Sequence, residues 1–282
     1  MRGLAEYVML GRRQAIIIVL LCGFFPFLYF FSAAVVALVT LRKGRNEGLI
    51  VLLWSLLPAG LLWAMGDISL LFFVTGTFAL AMVLRNTSSW QLVMIVGIAI
   101  GLATQLSLFI QSDYQAQILI ALNEGGLEAQ LNQGGQNQYT VQQIVDLLLS
   151  FYGAYHAFVV IICLMIGRWW QAVLYNPGGF RQEFHALRFD PRVMVVLLGL
   201  ILGGLLDLPP LEDWLPLFCV APMFAGLSVA HFIVAKKNLG TPWLVLSYLT
   251  LLMMAPVIIL LGMTDSLMNL RSRLDQGDSD SD

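Results

Sequence analysis

Asp146, Tyr152, Tyr155 and His156 all fall within one apolar run, residues 143–167, and are the side chains best placed for chemistry in this sequence. An ionisable group at the centre of a membrane helix costs about 2.5–3.5 kcal/mol on insertion scales, so it is retained where it faces a partner, a cavity or a solute path. Ten residues, nearly three helical turns, separate Asp146 from His156, and Tyr152 precedes His156 by one turn. A carboxylate, a phenol and an imidazole then share roughly one face. This predicts a solute-binding set bordering a cavity open to the outside. The plainer alternative is a histidine hydrogen-bonded to a neighbouring helix. Gln105, Asp67, Asp207 and His231 are the other polar residues within apolar runs or at their ends.

No carrier for enzyme chemistry accompanies them. There is no His/Glu metal spacing, no phosphate-cradling glycine loop with its lysine, and no nucleophile elbow. Neither catalytic residues nor a metal or cofactor is therefore expected. Cys22, Cys163 and Cys219 are odd in number, widely spaced and set in apolar runs, where a thiol acts as a small hydrophobe. Arg12 and Arg13 precede Cys22, but Leu20 and Leu21 are not the small residues a processing site needs, which predicts an uncleaved anchor.

A second set lies between residues 168 and 192. Trp169, Trp170 and Tyr175 have the character of a headgroup belt. Asn176-Pro177-Gly178-Gly179 is a strong turn signal. After it, Phe180, Phe184 and Leu187 fall at i, i+4 and i+7, while Arg181, His185 and Arg188 repeat that spacing one position later. An apolar stripe beside a basic one predicts an interfacial helix. Arg181, His185, Arg188, Trp169 and Trp170 would meet either anionic lipid or a cytoplasmic partner protein.

These residues need a scaffold, and the composition says which kind. Of 282 residues, 59% are hydrophobic and only 11% charged, against about 25% charged in soluble domains. Fifteen Lys and Arg are too few for a nucleic-acid binder, and too little polar surface exists to clothe a soluble globule. The lipid bilayer is the expected surrounding. Four of the 17 acids, Asp275, Asp278, Asp280 and Asp282, sit in the last eight residues, so 275–282 reads as a solvated, disordered tail. The rest, 1–274, reads as a single integral membrane domain.

Eight apolar runs are visible, at 14–41, 49–65, 68–84, 90–111, 143–167, 193–206, 214–235 and 240–264. They predict an all-α, polytopic transmembrane bundle, since helices close their own backbone hydrogen bonds in lipid. Run 14–41 is too long for one span, has basic clusters at both ends and carries Pro26 near its middle. It predicts two short helices, about 14–24 and 27–41, forming a hairpin or re-entrant pair; one long kinked helix is the alternative. Run 193–206 is short.

The positive-inside rule orders the loops. Loop 42–48, Arg85, loop 168–192 and Lys236/Lys237 fall inside, whereas the arginine- and lysine-free loop 112–142 and the acidic turn at Asp207, Glu212 and Asp213 fall outside. Loop 112–142 is rich in Gln and Asn and contains a short amphipathic helix candidate, either a lid or a plain connector. The same alternation puts Arg271 and Arg273 outside, unless run 240–264 bends near Pro256 and does not cross. Gly97/Gly101, Gly199/Gly203 and Ala33/Ala37 are small-xxx-small pairs that predict close helix packing.

The segments Gly167-Arg168-Trp169-Trp170-Gln171-Ala172 and Asn176-Pro177-Gly178-Gly179-Phe180-Arg181, with Leu41-Arg42-Lys43-Gly44 before them, resemble the YybS-like family of bacterial membrane proteins of unknown function. That family is loosely associated with the substrate-binding S components of energy-coupling-factor (ECF) vitamin transporters. The resemblance implies a multi-pass inner-membrane protein with an outward-opening pocket for a small solute and a membrane coupling protein as partner. It also implies that Ala33 and Ala37 correspond to the pair that docks the coupling protein. The chain departs from S components in its extra spans and lacks their vitamin-site signature. The rival expectation is a non-transporting scaffold that recruits a cytoplasmic partner through 168–192.

Overall fold

The computed structural model describes residues 1–25, 27–108, 110, 114–125 and 140–273, and its regular elements are all helical. The acidic tail and Pro26 lie outside the described residues, as does most of the second half of loop 112–142. Among the described residues, five helical stretches are long and apolar enough to cross a membrane: α4 (Arg45–Ala64), α5 (Ser69–Thr87), α6 (Trp90–Ser107), the joined pair α8 (Val141–Ser150) and α9 (Tyr152–Tyr175), and α12 (Leu211–Lys236). Their outward side chains are large and apolar, such as Leu53, Trp54, Leu57 and Leu61 on α4. The protein is thus a multi-pass integral membrane protein. The remaining apolar runs form shorter pieces, which is why eight runs give only five full-length spans.

Run 14–41 is the first of these. It splits into α2 (Arg12–Phe24) and α3 (Tyr29–Lys43), with the break bracketing position 26. The Ser32 hydroxyl donates to the Val19 carbonyl at 3.1 Å, so the two helices fold back on each other as a hairpin and are not one kinked rod. Gly44, at φ +96°, takes the left-handed turn that joins α3 directly to α4. Every residue of α3 from Ser32 to Leu41 is buried. A helix apolar on all sides belongs at the centre, and α3 packs against α2, α4, α5 and α9.

One end of the bundle collects the basic residues. Arg12 pairs with Glu47 at 2.5 Å, joining the starts of α2 and α4. Arg85, closing α5, donates to the Leu41 carbonyl at 2.6 Å. The Arg42 guanidinium lies 3.9 Å over the Tyr175 ring. Arg168 holds Glu183 through two contacts, one of 2.9 Å, and the Trp90 indole donates to the same carboxylate at 3.2 Å. Glu183 belongs to α10 (Gly179–His185), the short helix expected after the Asn-Pro-Gly-Gly turn. The amphipathic helix expected in loop 112–142 is also present, as α7 (Tyr114–Glu124), and α1 (Arg2–Leu10) precedes the hairpin.

Run 193–206 becomes α11 (Pro191–Leu205), started by Pro191 and capped by the Asp190 carboxylate on the Arg192 amide at 2.8 Å. The last run corrects the sequence topology. It forms α13 (Thr241–Met253) and α14 (Ala255–Met268), bent by 111°. Tyr248 of α13 is 3.0 Å from His231, near the basic end of α12. Ala255, Pro256 and Ile259 share a cavity with Leu215, Pro216 and Cys219 towards the opposite end. Arg271 is back at the basic end, on the carbonyls of His185 and Leu187. The pair enters and returns. Arg271 therefore lies with the other basic residues, as the alternative in which run 240–264 bends and does not cross requires, and not on the acidic side where strict alternation would put it.

Candidate functional site

α9 organises the candidate sites, and its two faces differ. On one, His156 is completely buried among Tyr152, Phe73, Tyr155 and Phe72, with ring centroids 4.4–6.0 Å away. Its Nδ1 donates to the Tyr152 carbonyl at 2.9 Å, which makes Nε2 the acceptor; that atom has no hydrogen-bond partner among the described residues. The aromatic enclosure belongs to α5 and α9 and closes around the imidazole. Asp146 is elsewhere: it is exposed on α8, receives the Gln142 amide at 2.9 Å, and borders an outer recess of about 290 Å³ with Gln105, Asp213 and Trp214.

The break between α8 and α9 at Phe151 separates these groups. Gln105 bridges it, donating to the Leu149 carbonyl at 3.0 Å and accepting from the Gly153 amide at 2.8 Å. Backbone groups freed inside a membrane must find partners, and one side-chain amide supplies two. The structure thus brings Tyr152, Tyr155 and His156 together and sets Asp146 at a different recess.

The opposite face of α9 is a groove. Phe151, Ala154, Tyr155 and Phe158 line an outer cavity of about 570 Å³ against Leu215, Cys219 and Met223 of α12 and Ala255 and Ile259 of α14. Further along the same stripe, Ile162, Met165, Ile166 and Trp169 line an inner cavity of about 340 Å³. The spacing from Phe151 to Trp169 repeats three and four residues throughout, so both cavities lie on one helix face. The outer cavity is apolar. The inner one is apolar in its depth but carries Arg181, His185, His231 and Tyr248 among its lining residues and, among the described residues, no carboxylate.

Burial is the main cause holding the His185 imidazole below its ordinary pKa, reinforced by the charges of Arg181, His231 and Arg271. The groups around it are Arg181 on its own helix, His231 on α12, Tyr248 on α13 and Arg271 beyond α14. Arg271 is nearly buried. It donates to the His185 carbonyl, to the Leu187 carbonyl at 2.8 Å and to the Ser228 hydroxyl at 3.1 Å, and it lies 3.1 Å from the buried Asp265 carboxylate. This network fastens α14 and α12 to the segment that carries His185.

The expected docking residues divide accordingly. Arg181 is exposed and Trp169 is 39% exposed at the groove rim. Arg188 is partly buried and donates to the Ser266 carbonyl at 3.4 Å. Trp170 is fully buried and stacks on Phe31 with centroids 6.3 Å apart. It is a core residue, not part of a headgroup belt, because it points into α3 while Trp169 points out.

Ala33 and Ala37 are likewise buried, with Gly167 of α9 packed against Ala37. That face is occupied within the bundle, so no coupling protein can reach it. A methyl group on Gly97 would lie 2.9 Å from Ile161, and one on Gly101 would lie 2.6 Å from the Gly153 carbonyl oxygen; both glycines are tight contacts of α6 with α9. Gly203 meets Leu211, whereas Gly199 faces open space and packs against nothing. Missed in the sequence were Gly226 and Gly262, where α12 and α14 touch backbone to backbone. Each has a small residue four positions on, Ala230 and Ser266, which is the signal that would have found them.

No family model matches this chain, and neither a curated protein nor a solved structure matches it significantly.

Proposed function

We propose that the protein is a transporter-like binding protein of a bacterial inner membrane, which holds a small amphiphilic solute in the groove along α9. One observation carries this reading: two cavities follow one another on a single face of α9, apolar through most of their depth and edged at the inner end by Arg181, His185, His231 and Tyr248. Ligand sites are mainly apolar concavities with a few convergent polar groups, and this groove has that composition. Its far wall is the bent pair α13–α14, fastened to α12 at Gly226 and Gly262 and to the basic end by Arg271. Such a wall can yield without disturbing the five spans. The groove takes the place of the expected Asp146–His156 pocket, while the run that borders it, 143–167, is the one the sequence singles out.

The scaffold reading has less support. It needs a free basic stripe at Arg181, His185 and Arg188, but Arg188 and the His185 carbonyl are engaged within the bundle, leaving Arg181 as the exposed member of that stripe.

The test is to purify the full-length chain in detergent and identify the organic molecules it carries, beside Ala154→Trp and Met223→Trp, whose indoles fill the outer cavity. The wild type should carry a defined molecule that both variants lose at an unchanged melting temperature. A wild type carrying nothing above the detergent blank, or well-folded variants carrying as much as the wild type, would overturn the reading.

A further inference from the structure

We propose that the occupant of the groove is a lipid with an anionic phosphate headgroup, its head seated among Arg181, His185 and His231 and its chain lying outward along α9. This rests on the groove reading above and adds the class of its ligand. Charge selects the head. The inner rim carries one guanidinium and two imidazoles, and among the described residues no carboxylate lines the cavity. Two acids of the same region are taken up elsewhere, Glu183 by Arg168 and Asp265 by Arg271. The Tyr248 hydroxyl, 3.0 Å from the His231 Nε2, adds a further polar group at the same level. Basic pockets between membrane helices on the cytoplasmic side suit anionic headgroups, and the half-exposed Trp169 at this rim has the usual interfacial placement of an indole.

The rest of the groove selects a chain. Below the rim the walls are Ile162, Met165, Ile166, Phe180 and Phe184, and the next cavity continues apolar to Phe151. From Phe151 to Trp169 the helix rises about 27 Å, close to the roughly 30 Å depth of the hydrocarbon. A water-soluble anion would leave nearly all of that surface without a partner. The α13 wall has no buried residue, and its outward side chains, among them Val245, Leu249 and Leu252, are apolar. Such a wall suits contact with lipid, which would then border the inner cavity where Tyr248 of α13 lines it.

Native mass spectrometry of the full-length protein in detergent, with phosphatidylglycerol and phosphatidylcholine of identical chains supplied together, tests this. The wild type should retain the anionic lipid preferentially. Arg181 is exposed, so Arg181→Glu should fold. Attraction between anionic lipid and one basic side chain is worth roughly a fivefold change in affinity. The two-unit reversal should therefore lower phosphatidylglycerol retention about 30-fold, while Arg181→Lys keeps most of it and phosphatidylcholine is unaffected. Inorganic phosphate at millimolar concentration should not displace the bound lipid. Equal retention of the two lipids, or an Arg181→Glu protein that keeps its selectivity, would overturn the headgroup assignment but leave the groove reading intact. Displacement by inorganic phosphate would mean that a free anion, and not a lipid, is recognised. Failure of the groove itself reads differently: neither lipid would be retained, and Ala154→Trp would change nothing.

Discussion

The contact between Gly226 and Gly262 makes a quantitative claim about how the returning helix is held. A methyl group on Gly262 would lie 2.1 Å from the Pro222 carbonyl oxygen and 2.5 Å from the Gly226 amide nitrogen; one on Gly226 would lie 1.9 Å from the Ile258 carbonyl oxygen. Ordinary contact begins at 3.4 Å, so either alanine forces α12 and α14 apart by more than about 1 Å. The obstructing atoms are backbone, so no rotamer change relieves them. Overpacking typically costs about 1–3 kcal/mol, and Gly226→Ala and Gly262→Ala should each reach the upper end of that range. Lipid offers no hydrophobic drive to close the gap again, since helices in a bilayer are held by packing. Gly199→Ala is the control: nothing lies within 4 Å of its added methyl, and the gain in helix propensity, about 0.5–1 kcal/mol, should leave it at least as stable as the wild type. Unfolding of the purified protein in bicelles, followed by tryptophan fluorescence, gives the comparison. The packing reasoning is refuted if Gly262→Ala unfolds like the wild type, or if Gly199→Ala loses as much.

Two further outcomes follow from the basic end. Asp265→Asn and Arg271→Met each leave a buried charge without its partner, which costs about 3–5 kcal/mol; the double variant should lose clearly less than the sum, and strict additivity in the same unfolding assay would mean that the 3.1 Å pair is not coupled. His185 has its pKa lowered, mainly by burial, so the unfolded chain binds the proton more tightly. Its contribution to stability is complete above the ordinary value of about 6.5 and is lost as pH falls through that value towards the lower folded one. The melting temperature should therefore drop on acidification below about pH 6.5, and His185→Gln should flatten that drop; an unchanged slope in the variant would assign it to other groups.

Much of the fold was legible because lipid imposes simple rules. Apolar run length located the spans, the basic clusters flanking 14–41 located the hairpin, and Phe180, Phe184 and Leu187 located α10. The bend between α13 and α14 has a sequence signal of its own, the electrostatic inconsistency that strict alternation creates by putting Arg271 and Arg273 on the acidic side. What composition could not convey was which face of a helix meets which neighbour. Trp169 and Trp170 are adjacent and alike, yet one lines the groove rim and the other is buried against Phe31. Gly199/Gly203 and Gly97/Gly101 share a spacing, yet Gly199 touches nothing. Spacing within a helix reports a possible face; the tertiary arrangement decides whether that face is used.

The polar candidates are dispersed for a related reason. Polar residues within a span draw attention because they are costly, but cost can be met structurally. Gln105 serves the backbone at the α8–α9 break, and the His156 Nδ1 donates to the Tyr152 carbonyl one turn back. Nothing in the composition of the apolar stripe of α9 distinguishes it from ordinary lipid-facing or core surface. It becomes a groove only because α13 and α14 return to the side they left, placing Tyr248 beside His231 and Arg271 on the carbonyls after Phe184. Arg181 and His185, expected as a basic stripe facing outward from α10, thereby join His231, 46 residues beyond His185, at the lip of a cavity. The groove is therefore assembled by the bend at Met254, and a variant that straightened α13–α14 would lose the cavities while keeping every residue that lines them.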